Sequence, residues 1–153
     1  MSPFTIFQIS SQGMTAQRER LETAAANLAN SNTTRTEEGG PYRRRDVVFE
    51  SVAVGGGTGG ANSSSFGTFF DSLEQPAQGV RATTVIAEQS EGVQRYQPDH
   101  PDADANGYVH MPDVDPLEET VNMISAARSF EANTTAFNTA KEMARASLKL
   151  GEA

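Results

Sequence analysis

Phe7, Met14, Leu21 and Leu28 fall seven residues apart near the start of the chain, and that spacing constrains the fold more than any other feature. An apolar repeat of about 3.5 residues is the seam of a helix packed against other helices. The spacing therefore predicts a long N-terminal helix over residues 3–31. Ser2 and Pro3 suit its start, as N-cap and first helical residue. Phe4 and Ala25 fill positions between the four, Ser11 and Arg18 interrupt them, and Gly13 costs the helix about 1 kcal/mol relative to alanine. At 1.5 Å per residue such a segment is on the order of 40 Å long.

A second helix is predicted over residues 115–150. Asp115-Pro116-Leu117-Glu118 reads as an N-cap, a proline at the first helical position and a glutamate at the third. Asp113, Asp115, Glu118 and Glu119 crowd the start, while Lys141, Arg145 and Lys149 favour the end, and both biases suit the helix dipole. Gly151 reads as the closing C′ residue. Leu117, Val121 and Ile124 form one apolar edge. Met123, Ala127, Phe130, Thr134, Phe137, Ala144 and Leu148 form a second stripe, interrupted at Lys141. Both terminal stripes need a partner, and the short middle cannot cover them. The residues alone allow either a hairpin within the chain or a layer shared with neighbouring subunits.

Residues 32–114 differ in character, holding five of the 7 prolines and most of the 13 glycines. "DVVFESVAV" (46–54) and "GVRATTVIAEQ" (79–89) have the β-branched content of short strands. "GGGTGGANSSSFG" (55–67) between them has the composition of a flexible coil. The expected organisation is α+β: an N-terminal helix (1–31), a small β-rich module with a flexible loop (32–114), and a C-terminal helix (115–153).

Composition excludes several kinds of chemistry. The net charge of −8 is wrong for a nucleic-acid binder, which needs a basic face to neutralise phosphates. The one basic run, Arg43-Arg44-Arg45, reads as a solvated loop edge. With 0 cysteines there are no disulfides, thiolate metal ligands or cysteine nucleophiles, a weak pointer to life outside the reducing cytosol. No apolar run reaches the ~20 residues that span a bilayer, and "MSPFTIFQISSQG" lacks the basic and apolar regions of a cleavable signal peptide. Gly55, Gly57 and Gly60 spell G-x-G-x-x-G, but no helical period follows to receive a pyrophosphate. His100 and His110 sit in a Pro- and Gly-containing loop with no evident nucleophile–base pair.

"HPDADANGYVHMPD" (100–113) nearly spells a calcium loop, with Asp102, Asp104 and Asn106 at ligand positions, Gly107 at the turn and Asp113 at position twelve. A calcium-dependent binding module is the alternative function this stretch allows. Pro98 and Pro101 prevent a helix from ending at Asp102, and Asp and Asn before Gly are independently favoured in tight turns. The stretch reads better as a turn and strand feeding the C-terminal helix.

"AAANLANSNTTRTEEGGPYRRRDVVFE" (24–50) resembles the N-terminal signature of bacterial flagellar axial proteins, in which Ala26-Asn27-Leu28-Ala29-Asn30-Ser31-Asn32-Thr33 ends the first helix. "VNMISAARSFEANTTAFNTAKEM" (121–143) resembles the C-terminal helix of that family, with Phe130-Glu131-Ala132-Asn133 at its core. "HPDADANGYVHMPDVDPLEE" (100–119) is similar to the stretch marking the proximal-rod, FlgC-type members. The resemblance implies terminal helices packed together in coiled-coil fashion, with a small β-rich portion outside them. It also implies a non-enzymatic structural subunit without cofactors, polymerising with copies of itself and with other rod proteins. It further implies export without a cleaved signal, through the flagellar type III apparatus, to a drive shaft that transmits torque across the periplasm. On this reading the assembly interface comprises Phe7, Met14, Leu21, Leu28, Met123, Phe130, Phe137 and Leu148. Asn27, Asn30 and Asn133 are expected to fix register by side-chain hydrogen bonds at helix contacts.

Overall fold

The structure, a computed structural model, describes residues 3–54, 77–87 and 92–151. The glycine-rich run at 55–67, with its G-x-G-x-x-G spelling, lies outside the described residues. The element order is α1 (Pro3–Ala29), β1 (Arg45–Ala53), β2 (Gln78–Ile86), β3 (Gln94–Tyr96), β4 (Tyr108–His110) and α2 (Pro116–Gly151).

The two terminal helices pack against each other in antiparallel fashion. Phe7 meets Phe137 edge to face with ring centroids 5.0 Å apart. The Thr134 hydroxyl lies 3.4 Å from the Met14 sulfur, and Arg20 donates to Asn122 Oδ1 at 2.9 Å. As numbers rise along α1, their partners on α2 fall. The hairpin within the chain that the residues allowed is therefore present. The deepest positions are small: Ala16 and Ala24 on α1, and Ala126 and Ala140 on α2, are almost fully buried. The heptad residues themselves are half-buried and flank that seam. The reason is that α1 is covered from two directions, by α2 and by the β1–β2 pair, so its closest contacts fall between the two apolar edges.

β1 and β2 form a long antiparallel pair with Arg45 opposite Ile86 and Ala53 opposite Gln78. The pairing is extended at each end by Ala87 N–H to Arg44 O and Val54 N–H to Ala77 O. The pair lies along α1, where Thr84 donates to Glu19 at 3.0 Å and Gly79 sits directly against Gln12 and Val54. The strand at 79–89 starts one residue earlier than expected and ends at Ile86. Among the described residues, the β-rich middle holds two two-stranded sheets. β3 pairs with β4 from Gln94–His110 to Tyr96–Tyr108 around the fully buried Val109. At three residues, β3 is too short to show alternation.

The turn between β3 and β4 is where the calcium-like spelling falls. Gln97 and Asp104 N–H groups bond Gly107 and Tyr108 carbonyls, and no helix precedes Asp102. Gly107 has φ 81°, and a Cβ there would come within 2.9 Å of the Tyr96 ring, so both backbone and space require glycine. α2 begins as expected: Asp115 Oδ1 accepts from Leu117 N–H at 2.8 Å, an N-cap satisfying one orphan donor of the first turn. Glu118 does not close the capping box; it reaches Arg44. Gly151 is itself helical and so does not act as a C′ residue after position 150.

Candidate assembly surfaces

Three groups of side chains determine how the helices present themselves. The first is the helix seam. Gly13 lies under Asn133: a Cβ at position 13 would stand 2.8 Å from Asn133 Nδ2. The glycine that weakens α1 locally therefore leaves room for the Asn133 side chain against the helix. Phe7, Met14, Phe137 and Asn133 meet at this seam, and Leu21, Leu28 and Met123 are half-buried beside it. Phe130 and Leu148 are exposed, Leu148 at 70%.

The second group ties the end of α1 to the start of β1. Asn27 is 1% exposed. Its Nδ2 donates to Arg45 O at 2.8 Å, and its Oδ1 accepts from Arg45 N–H at 3.0 Å and from the Tyr42 hydroxyl at 3.0 Å. Every bond goes to the strand side, none to α2, because the amide imitates the pairing a neighbouring strand would offer. Asn30 acts within its own segment, donating to Ala26 O and accepting from Thr33. Within the chain, Asn27 and Asn30 therefore end α1 and launch the next element. Burial pushes the Tyr42 phenol pKa up, Arg45 opposes this and Glu119 adds to it.

The third group was missed by sequence reasoning. Arg44, expected in a solvated loop, instead bridges Glu119 (Nε–Oε1 3.0 Å), Glu118 (3.0 Å) and Asp46 (3.3 Å). Glu119 is among the largest fully buried side chains, and a buried carboxylate needs a charge partner. Burial works against the Arg44 charge, but its bond to Glu118 and the fields of Asp46 and Glu119 outweigh it and raise its pKa. The only signal in sequence was one arginine of three lying next to the strand.

Two of the candidate calcium ligands, Asp102 and Asp104, are engaged with protein donors. Asp102 accepts from Thr34 at 2.8 Å and faces Arg35 at 3.8 Å. His100 Nδ1 accepts the Asp102 N–H. Asp104 Oδ1 accepts both Asn106 and Tyr108 N–H at 2.8 Å. Those bonds, Tyr108's first, hold the Asp104 carboxyl below its ordinary pKa. Two carboxylates of the loop therefore serve as a turn brace and a tie to the segment after α1.

Exposed apolar side chains remain on the outside of this framework. Leu117, Val121 and Ile124 project from α2, Met143 and Leu148 from its far end, and Val93, Tyr96 and Tyr108 from the β3–β4 pair. Among the described residues, no helix is long and apolar enough to cross a membrane.

The chain matches two family models, "Flagella basal body rod protein" over residues 7–35 and "Flagellar basal body rod FlgEFG protein C-terminal" over residues 105–150. It is 38% identical over 156 aligned positions to the flagellar basal-body rod protein FlgC of Borreliella burgdorferi, covering 98% of each chain. It is 39% identical to that of Salmonella typhimurium, covering 99% of this chain and 100% of the other. The FlgC of Bacillus subtilis is 36% identical, with 99% and 100% covered.

Proposed function

This chain belongs to the FlgC family of flagellar basal-body rod proteins, and we propose that it is a structural subunit of the basal-body rod, joining copies of itself and other rod proteins through its terminal helices. The observation that carries this reading is the unfinished helical layer. α1 and α2 bury each other along one side, yet α2 leaves Leu117, Val121, Ile124, Met143 and Leu148 facing outward. Isolated exposed leucines are ordinary, but aligned apolar residues on a packed helix pair mark a surface awaiting another protein. In a rod, neighbouring subunits cover them, at roughly 25 cal/mol per Å² of apolar surface buried.

Torque passes along such an assembly only if each subunit is stiff, and the buried Arg44–Glu119 pair and the Asn27 clasp stiffen the junction of helices and hairpin. Delivery through the flagellar type III export apparatus to the periplasmic part of the basal body completes the proposal. Expression in a bacterium deleted for its own FlgC is the test. The chain should co-purify with hook–basal bodies and restore swimming; a folded, secreted chain absent from those particles refutes it.

A further inference from the structure

We propose that successive copies join head to tail, the exposed C-terminal turns of one α2 docking on the Leu117–Val121–Ile124 edge of the next. The inference rests on the rod-subunit reading and names the partner of one surface within it.

Two unpartnered surfaces on the same helix carry it. Leu117, Val121 and Ile124 are spaced four and three apart, so they share one face. At 3.6 residues per turn that face lies roughly opposite the line of Ala126, Asn133 and Ala140 that meets α1. They are 72%, 58% and 51% exposed. The second surface is an overhang. α1 has 27 residues and α2 has 36; with Phe7 on Phe137, Pro3 falls about level with residue 141. From Lys141 to Lys149 every side chain except Ala144 is exposed, including Met143 and Leu148. The edge from Leu117 to Ile124 and the turns from 144 to 151 are each about 10 Å long.

Charge selects which surface meets which. The edge lies beside Asp115, with Glu131 further along, Glu118 there being already paired with Arg44; the overhang carries Lys141, Arg145 and Lys149 on successive turns. The exceptions, Arg128 beside the edge and Glu142 on the overhang, are again opposite in sign. Edge on edge or overhang on overhang sets like charges together, whereas edge on overhang pairs opposite ones. Two different, complementary patches make a heterologous contact, which propagates into an open helical polymer instead of closing as a dimer.

The chain has 0 cysteines, so engineered thiols report the contact directly. Ile124→Cys and Leu148→Cys sit on exposed positions. Along one straight helix they are about 36 Å apart, far beyond the ~7 Å Cα separation that a disulfide tolerates. Oxidising the double variant in assembled basal bodies should give a ladder of dimer, trimer and higher rungs. Each single variant should give none, and adding Arg145→Glu with Lys149→Glu should abolish the ladder. Dimers from either single variant would mean symmetric pairing and overturn the proposal. Assembly of the double variant into basal bodies without a ladder overturns it too, leaving the rod-subunit reading intact. Exclusion of the unaltered chain from basal bodies instead removes that reading.

Discussion

At the scale of single residues, the fold depends on a few polar side chains placed where apolar ones would be expected. Arg44→Ala leaves the Glu119 carboxylate buried without its partner. Because Arg44 itself retains some exposure, the expected loss is about 2–3 kcal/mol, below the range for fully buried pairs; urea denaturation of the full chain measures it. Gly13 and Asn133 offer a cleaner test. Gly13→Ala gains up to about 1 kcal/mol in helix propensity, but its new methyl must displace Asn133. In an Asn133→Ala background that conflict disappears, so Gly13→Ala should stabilise more there than alone. Equal effects in both backgrounds, by thermal denaturation, would dissociate the two residues. None of these contacts was legible in the sequence. A glycine reads as a helix defect, and an arginine in a basic run reads as solvated, until another element closes over it.

At the scale of elements, sequence was a better guide where one local rule decides the outcome. The heptad spacing located α1, and Asp115 before Pro116 located the start of α2, because helical period and N-capping act within one or two turns. The β3–β4 turn followed from Asp and Asn before Gly107. β3 and the separation into two sheets were not legible, since short strands are fixed by what they pair with. The Asp104 brace has a pH signature. Its folded pKa lies below the ordinary 3.8, so its bonds support the turn fully above that value and fail as pH falls through the lower folded one. The Asn106 and Tyr108 amide resonances should therefore shift together with a midpoint below pH 3.8. A midpoint at or above 3.8 would contradict the brace.

At the scale of the whole molecule, the helix pair and the hairpin share α1 and should unfold as one unit. Phe137→Ala removes the ring packed on Phe7, and for a half-buried aromatic the expected cost is about 2 kcal/mol, below the range for fully buried ones. Loss of helical and strand signals in a single transition, at lower temperature than the unaltered chain, checks both points by circular dichroism. Of the residues expected to assemble, Phe7, Met14 and Phe137 pack in the chain's own seam. Sequence periodicity cannot separate an internal partner from an external one, because both demand the same apolar stripe. The β1–β2 ladder has one further consequence. Ala53 and Gln78 are held side by side by their pairing, so any flexible connection between them would be a loop whose ends are already joined. Doubling such a loop costs about 0.6 kcal/mol. That junction is where evolution can add or remove sequence, even an inserted domain, while the helical shaft element keeps its dimensions.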